Sequence, residues 1–425
     1  MILHVGRILY LITRIMTAKK FIHKIHLWLS VLVGLVIAIT CLSGAILVFE
    51  TEIKELCNPT LYYAREVKEK PIGVDQLFEK VNKELPDSMQ VASVSIPADL
   101  SRNYSFGVAG KHRTMVYVDP FSGEIRGTSD DMVAGEFFST MRRLHRWLLD
   151  EFKRDGSISV GKTIVGVCTI VFVFILISGI IIWMPKTIKA LRRSLKINAK
   201  KGWRRFWHDL HIAGGIYAVL ILLTLALTGL TWSFNWYRTG FYGIFGVEIQ
   251  QPQHGPTPRA DADKPQSGQS GGSGRERRAQ NNWQGDDRKG SRGGKKQMVN
   301  TGNWQKVADY LASNNGKYKS ISIQDGKAFV SLSPVVGNSR SSDAYTFNPE
   351  TGDITSVKLY KDQEKQGKVR GWIYSVHVGN WGGIVTKILT LLASLLGATL
   401  PLTGYYIWLK KYFSKRKIRK GKLYN

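Results

Sequence analysis

The sequence predicts an α-helical membrane protein, a four-helix bundle built from two tandem parallel repeats, each with an α+β module outside the cytoplasm. Three observations predict this fold. Four apolar runs are long enough to cross a bilayer, basic residues concentrate in the segments that must share one side, and short motifs recur at fixed offsets. Together they describe a chain that crosses the membrane twice and then repeats the pattern.

The four apolar runs lie within residues 27–49, 163–184, 206–236 and 372–409. A hydrocarbon core of about 30 Å needs roughly 20 apolar residues in a helix, and each run supplies them. The first run is too long for the apolar part of a secretory signal, and it ends at Phe49 and Glu50 without a small-residue cleavage site. We therefore expect it to remain as a transmembrane helix.

The net charge of +28 fits this topology. Residues 1–26, 185–205 and 410–425 lie on one side of the predicted bundle, and the last two segments are rich in Lys and Arg with no Asp or Glu. The positive-inside rule assigns that side, with both termini, to the cytoplasm. Contact with lipid headgroups accounts for these charges better than nucleic-acid binding, because no aromatic-interleaved reading surface accompanies them.

The three cysteines exclude two kinds of site. Cys41 and Cys168 lie inside apolar runs, whereas Cys57 stands alone outside them. No disulfide framework or thiolate metal site can be assembled from this set. The chain also lacks a Cys-x-x-Cys-His motif, which argues against covalent haem attachment.

Short motifs recur between the two halves of the chain. Residues 21–26 and 206–211 both read Phe-x-His-x-x-His, and a Ser-Gly or Thr-Gly pair follows at the same offset of 185, ending at Gly44 and Gly229. Two similar pairs, ending at Gly179 and Gly404, share an offset of 225. Units that enter and leave on the same side are parallel repeats, related by a pseudo-two-fold axis along the membrane normal.

The outside segments 50–140 and 301–371 predict a small helix-plus-sheet module in each half. Alternating apolar and polar residues indicate short antiparallel strands, at 91–96, 104–108, 115–118, 320–324 and 328–332. One helix is expected before the strands in each half, at 74–85 and 304–312.

Two connecting segments complete the chain. Residues 141–162 are expected to form an interfacial helix and loop, and residues 237–300 lead from the third run to the second module. Within the latter, 251–297 is rich in polar residues and Gly and nearly free of aliphatic residues, so we expect it to be flexible. An electrostatic docking arm is the alternative.

Six histidines lie at the ends of the runs in repeat-related positions. The topology pairs His26 with His211 near the cytoplasmic face and His145 with His377 near the other face. Neutral imidazoles on facing helices of a bundle can hold a b-type haem through its iron. Two such pairs predict two haems, one in each leaflet, as a transmembrane electron path requires.

An ordinary structural role for these histidines stays open. A histidine at a span boundary is often only an amphipathic interfacial residue, and a duplication copies structural histidines as faithfully as ligands. His23 and His208 lie three residues before the cytoplasmic pair on nearly the same helical face, so they are alternates or partners for haem propionates.

Several motifs resemble the PepSY-associated transmembrane proteins. They are His26-Leu-Trp-Leu-Ser, Leu42-Ser-Gly-Ala, Leu144-His145-Arg-Trp-Leu, Asp209-Leu-His211, Leu227-Thr-Gly and His377-Val-Gly-Asn-Trp-Gly-Gly. The resemblance covers nearly the whole chain except the insertion 251–297. It implies a bacterial inner-membrane protein with PepSY-like periplasmic domains, in a family that includes reductases of ferric siderophores. It also implies that His26, His145, His211 and His377 are haem ligands.

One departure from the repeat is visible. His145 precedes Gly179 by 34 residues, whereas His377 precedes Gly404 by 27. This difference predicts an extra loop at residues 151–157 in the first half.

We therefore expect a di-haem electron-transfer protein, a haem-dependent reductase of a ferric siderophore or other iron chelate, supplied by a cytoplasmic donor or the quinol pool. No catalytic side chain is assigned. Aromatic residues near the outer ends are candidate substrate contacts, although an interfacial belt explains them equally well: Trp147, Trp232, Trp236, Tyr237, Trp372 and Trp381.

Two other classes remain open. A non-redox PepSY-type module would bind a peptide or regulate a protease, and its function would survive removal of the bundle histidines. A transporter is the weakest alternative, because no acidic residue lies in the middle of a run.

Overall fold

The computed structural model describes residues 2–86, 89–109, 114–150, 159–249, 302–333, 335 and 337–421. The insertion 251–297 and the extra loop 151–157 lie outside the described residues. The helices in chain order are α1 (Ile2–Leu47), α2 (Glu50–Cys57), α3 (Pro59–Tyr62), α4 (Val74–Glu84), α5 (Gly135–Trp147), α6 (Val160–Trp183), α7 (Ile188–Ser194), α8 (Trp203–Asp209), α9 (Gly215–Ser233), α10 (Asn235–Ile244), α11 (Trp304–Asn314), α12 (Lys365–His377) and α13 (Gly383–Gly421).

Four helical stretches of the described chain are long and apolar enough to cross a membrane, which confirms the predicted number of runs. They are span one (Ala18–Leu47), span two (Val160–Trp183), span three (Trp203–Ser233) and span four (Gly383–Phe413). Span three is not a uniform α-helix, since a π-helical turn at Leu210–Gly214 joins α8 to α9.

The spans pack as a ring in chain order. Spans one and three each contact spans two and four. Close helix approach is visible between spans one and four, where a Cβ at Gly34 would lie 2.7 Å from Oη of Tyr405. That hydroxyl donates to the carbonyl of Val31 at 2.9 Å, so a hydrogen bond and a small residue hold the two spans together.

The strands form one continuous sheet rather than two separate ones. They are β1 (Gln90–Pro97), β2 (Tyr104–Ala109), β3 (Thr114–Val118), β4 (Ile125–Thr128), β5 (Tyr318–Gln324), β6 (Lys327–Leu332), β7 (Ser342–Phe347) and β8 (Ile354–Lys358). Their order is β4-β3-β2-β1-β5-β6-β7-β8, and β1 pairs antiparallel with β5 through the Ser95–Ser322 register. Pairing at this point removes two unpaired sheet edges, which is why the two expected modules are joined.

Helices α4 and α11 cover one face of the sheet and cap each other. The Asp75 carboxylate at the start of α4 accepts hydrogen bonds from the backbone N–H groups of Trp304 (3.0 Å) and Gln305 (3.3 Å) at the start of α11. The Gln305 side chain in turn accepts from the Val74 N–H at 2.6 Å. Each helix therefore supplies an N-terminal cap to the other.

Two short helices connect the sheet to the bundle. Helix α5 packs on spans one and two, and α12 packs on span three. Each carries its histidine, His145 or His377, in its last turn, which brings both histidines to the end of the bundle nearest the sheet. We call this end the sheet side, and the opposite end, with the Lys- and Arg-rich connection between spans two and three, the basic side.

Candidate functional site

On the basic side, two histidine rings lie against glycines of neighbouring spans. His26 of span one faces Gly179 of span two, and a Cβ at that glycine would lie 3.5 Å from Cε1 of the ring. His211 of span three faces Gly404 of span four in the same way, at 3.6 Å. A side chain larger than alanine at either glycine would meet the imidazole.

On the sheet side, two further rings lie against glycines even more closely. His145 of α5 faces Gly44 of span one, and His377 of α12 faces Gly229 of span three. A Cβ at either glycine would lie only 2.9 Å from Cε1 of the ring, closer than real contacts allow. These two rings can occupy their positions only because the facing residues are glycines.

The basic-side rings are oriented by hydroxyl groups that precede the facing glycines. Nδ1 of His26 lies 2.9 Å from Oγ of Ser178, and Nδ1 of His211 lies 2.8 Å from Oγ1 of Thr403 and 3.1 Å from the Leu400 carbonyl. Each hydroxyl donates its own proton to a carbonyl three residues earlier in its helix. Each hydroxyl therefore accepts from Nδ1–H of the histidine.

The sheet-side rings are oriented by backbone carbonyls. Nδ1 of His145 lies 2.9 Å from the Thr40 carbonyl, and Nδ1 of His377 lies 3.1 Å from the Leu225 carbonyl and 3.1 Å from Oγ1 of Thr228. A carbonyl can only accept, so the proton of each ring sits on Nδ1. The Nε2 lone pair is then left for a metal ion, an arrangement found at histidine-ligated metals.

The structure brings the sheet-side pair into direct proximity. The ring centroids of His145 and His377 are 6.2 Å apart, with 52° between the ring planes. Both histidines lie outside the spans. Burial, with a smaller contribution from the neighbouring His145, lowers the pKa of His377 to about 3, and burial also lowers the pKa of His145. Both rings are therefore neutral at physiological pH.

The basic-side pair faces the bundle from spans one and three, and its sequence neighbours do not join it. His26 and His211 lie within electrostatic range of each other. His23 and His208, the alternates, are exposed, and His208 has its Nδ1 3.6 Å from the Asp209 carboxylate. His211 is part of the π-helical turn, a feature that often marks functional positions in helices.

One of the six candidate aromatic contacts touches a histidine of the site. The Trp232 ring centroid lies 5.1 Å from that of His377. The Trp372 ring lies 5.5 Å from Phe245 instead, and the Tyr237 hydroxyl donates to the Leu227 carbonyl at 3.0 Å. Trp236 is 65% exposed and Trp381 is 45% exposed, as expected of an interfacial belt. Trp147 stacks under the Arg146 guanidinium, 4.3 Å from its ring centroid.

The donor set suits a metal that needs two nitrogen ligands. Within the described residues, no group of three or more His, Cys, Asp or Glu side chains could hold a metal ion. Each histidine pair offers two ring nitrogens that would hold the iron of a haem, whose macrocycle would supply the remaining ligands. The glycines also fit this role, because the absence of a Cβ lets each ring lie directly against the neighbouring helix.

The fold and the site define a class: a four-span membrane protein with an antiparallel sheet domain and paired histidines at both ends of the bundle. The chain belongs to the family of the PepSY-associated TM region, whose model matches residues 23–411. This confirms the resemblance found in the sequence. No curated protein matches the chain.

Proposed function

We propose that this protein is a di-haem b-type electron-transfer protein of the bacterial inner membrane that reduces a ferric siderophore or other iron chelate in the periplasm. The observation that supports this most directly is one arrangement found at all four histidines. Each ring lies against a glycine and donates its Nδ1–H to an atom of a neighbouring helix, and its Nε2 has no hydrogen-bond partner among the described residues. Bound haem would supply one-electron transfer, and His26, His211, His145 and His377 would hold its iron.

The arrangement differs from that of ordinary interfacial histidines. An interfacial residue keeps its polar end in the headgroup region, as the exposed His23 and His208 do. The four site histidines instead hydrogen-bond to atoms of other helices in the bundle. Pairs at two depths fit a path across a core of about 30 Å, which one cofactor cannot bridge.

The chemistry of release supports a chelate as substrate. Fe(II) carries less charge than Fe(III) and is a softer ion, so hard oxygen donors hold it more weakly. One-electron reduction therefore frees the metal without cleavage of the ligand. No protein side chain has to act as an acid, base or nucleophile in this reaction.

We also infer that the fold is two tandem parallel repeats. Each half contains a span, a capped helix, four strands, a short histidine-bearing helix and a second span in that order. In each half, both histidines lie against glycines of the same half. Each histidine pair, in contrast, takes one residue from each half. The antiparallel β1–β5 pairing lies where a two-fold axis would pass.

The basic side is proposed to face the cytoplasm and to receive electrons there, from a soluble donor or the quinol pool. Its Lys and Arg residues would contact anionic lipid headgroups. Cys57 tests this orientation, because it is exposed in α2 on the sheet side, whereas Cys41 and Cys168 lie within spans. A membrane-impermeant maleimide should label intact, outer-membrane-permeabilised cells at Cys57, and a Cys57→Ser variant should not react. Labelling only after cell lysis would reverse the orientation.

The deciding experiment is optical. Detergent-purified protein from haem-replete cells should show a reduced-minus-oxidised b-type spectrum, with about two haems per chain by pyridine haemochrome. His26→Ala and His377→Ala should each lose one haem, because each removes one ligand of a different pair. The exposed His23→Ala serves as the matched control and should keep both. A colourless wild-type protein would overturn the proposal.

A non-redox PepSY-type binding or regulatory module is the second candidate. The observation that favours it is the sheet edge at β8, where Thr355, Ser356 and Val357 are exposed. A free edge strand can take up an extended peptide by strand addition. Replacing all four site histidines by alanine would leave such a function intact and would abolish electron transfer.

A further inference from the structure

The basic connection between spans two and three is held to both spans by side-chain hydrogen bonds. Nε1 of Trp183, at the end of span two, donates to Oγ of Ser194 at 3.1 Å. The Tyr217 hydroxyl of span three donates to the Leu195 carbonyl at 3.0 Å. Helix α7, which ends at Ser194, therefore has a defined position beside the ends of both spans.

Asp209 fixes the second part of this connection. Its carboxylate accepts from Nε of Arg205 at 2.8 Å and from the backbone N–H of Asn198 at 3.3 Å, and the residue is only 5% exposed. The offset of 185 between spans one and three places Lys24 at the position of Asp209. The first half therefore cannot form this anchor, and the anchor is not a product of the repeat.

The anchored segments border a cavity of about 270 Å³. Its lining consists of three cations and one amide, from Arg193, Lys201, Arg205 and Asn198. Within the part of the chain that the structure describes, the only ion pair of these cations is that of Arg205 with Asp209. The cavity thus holds two positive charges that no carboxylate compensates.

The lining groups can act together on an anion. Like charges gathered at one cavity repel each other, and an anion bound between them removes this repulsion. Arg193 presents a planar fork of N–H donors and Lys201 a compact ammonium group. Arg205 uses its Nε for Asp209, which leaves its two terminal nitrogens for a ligand. The volume is below the range of about 300 to 1,000 Å³ that drug-sized ligands occupy, so it suits the charged group of a larger molecule.

We propose that Arg193, Lys201 and Arg205 form a phosphate-binding site on the basic side of the bundle. A phosphate group carries up to two negative charges on neighbouring oxygens, which matches the two uncompensated cations and the donors of the arginines. Asp209, which anchors the site, precedes His211 by two residues, so a bound molecule would lie beside the basic-side pair.

The phosphate has two possible sources at this position, the headgroup of a membrane phospholipid and a soluble electron donor that carries a phosphate group. The site lies where spans two and three end, which both sources can reach. The soluble source rests on the proposed function, for which it would name the chemical class of the donor.

The test uses Arg193→Gln and Lys201→Gln in the full-length protein, purified in detergent. Arg204→Gln and Lys200→Gln are matched controls, because each removes the same charge from an exposed side chain that does not line the cavity. The probes are inorganic pyrophosphate and a short-chain phosphatidylglycerol. Calorimetry at about 0.15 M salt follows binding, since screening over about 8 Å then suppresses general attraction to the basic surface.

If a soluble donor supplies the phosphate, pyrophosphate should bind to the wild type and at least about tenfold more weakly to each lining variant, since one charge-assisted contact is lost. If a lipid supplies it, phosphatidylglycerol should show this dependence and pyrophosphate should not bind. In both cases the control variants should match the wild type.

Absence of binding by both probes, or an equal loss of binding in the lining and control variants, would overturn the phosphate site. Haem content, measured by pyridine haemochrome on the same samples, separates this result from the electron-transfer proposal. A haem-free protein with the expected binding pattern would retain the phosphate site and overturn the proposed function. A di-haem protein that binds neither probe would do the reverse.

Discussion

Gly→Ala substitutions beside the four histidines should affect stability differently on the two sides of the bundle. At Gly44 and Gly229 an added methyl would lie 2.9 Å from the facing imidazole, about 0.5 Å inside the closest ordinary contact of 3.4 Å. At Gly179 and Gly404 the same methyl would lie at 3.5 and 3.6 Å, which is ordinary contact. The four alanine variants thus differ in geometry and not in chemistry.

The free-energy terms predict stability changes of different sign at the two kinds of glycine. Gly→Ala in a helix interior gains up to about 1 kcal/mol from backbone entropy and helix propensity. Overpacking a close-packed interior costs about 1 to 3 kcal/mol. Gly44→Ala and Gly229→Ala should therefore be neutral or destabilising by up to about 2 kcal/mol, whereas Gly179→Ala and Gly404→Ala should be neutral or slightly stabilising.

Two measurements follow these variants. Thermal unfolding in detergent reports stability, and pyridine haemochrome with a redox titration reports whether the sheet-side haem is retained. We expect the Gly44 and Gly229 variants to lose or shift one of two haem signals and to melt at lower temperature. Equal melting temperatures and equal haem content in all four variants would refute the reasoning from ring-to-glycine distance.

Three further predictions concern a helix cap and two ion-paired carboxylates outside the histidine site. Asp75→Ala removes the cap of α11 and should cost about 0.5 to 2 kcal/mol in thermal or urea unfolding, and a variant as stable as wild type would contradict the reciprocal capping with Gln305. Glu52→Gln leaves the buried Lys387 ammonium group without its ion-pair partner and should lower the melting temperature, while adding Lys387→Met should restore most of the loss; a double variant no better than the single one would contradict the pairing. Burial raises the pKa of Glu50, but hydrogen bonds from neighbouring Arg and Lys side chains outweigh this and hold the pKa below its ordinary value. A lowered folded-state pKa gives stability that is present at neutral pH and lost as the pH falls through the folded-state pKa. The melting temperature of Glu50→Gln should therefore lie below that of wild type at pH 7 and converge with it in acid, and a gap that does not change with pH would contradict this.

The apolar runs and the strongly alternating strands were predictable because their patterns are local. The helix expected at 74–85 is observed at Val74–Glu84, and the strand expected at 320–324 lies within Tyr318–Gln324. Strand β7 was not predicted, because Asp343 faces inward and breaks the apolar alternation. Its carboxylate accepts from the Tyr360 N–H at 2.6 Å, a compensation that arises only in the tertiary structure.

The histidines and the Ser-Gly or Thr-Gly pairs were visible in the sequence, but their contacts were not. Nothing local indicates that His26 faces Gly179 or that His145 faces Gly44, because these contacts depend on helix order and rotation. The carbonyl of Thr40, which orients His145, carries no side-chain signal at all.

The joined sheet has a consequence for biosynthesis. Ser322 of β5 follows its partner Ser95 of β1 by 227 residues. At synthesis rates of about 5 to 20 residues per second, strand β1 remains unpaired on this edge for roughly 10 to 50 s before β5 is made. During that interval β1 is an exposed edge next to a crowded membrane surface. The first half therefore keeps one unpaired strand edge until β5 has been made, and shortening the insertion 251–297 would shorten that interval.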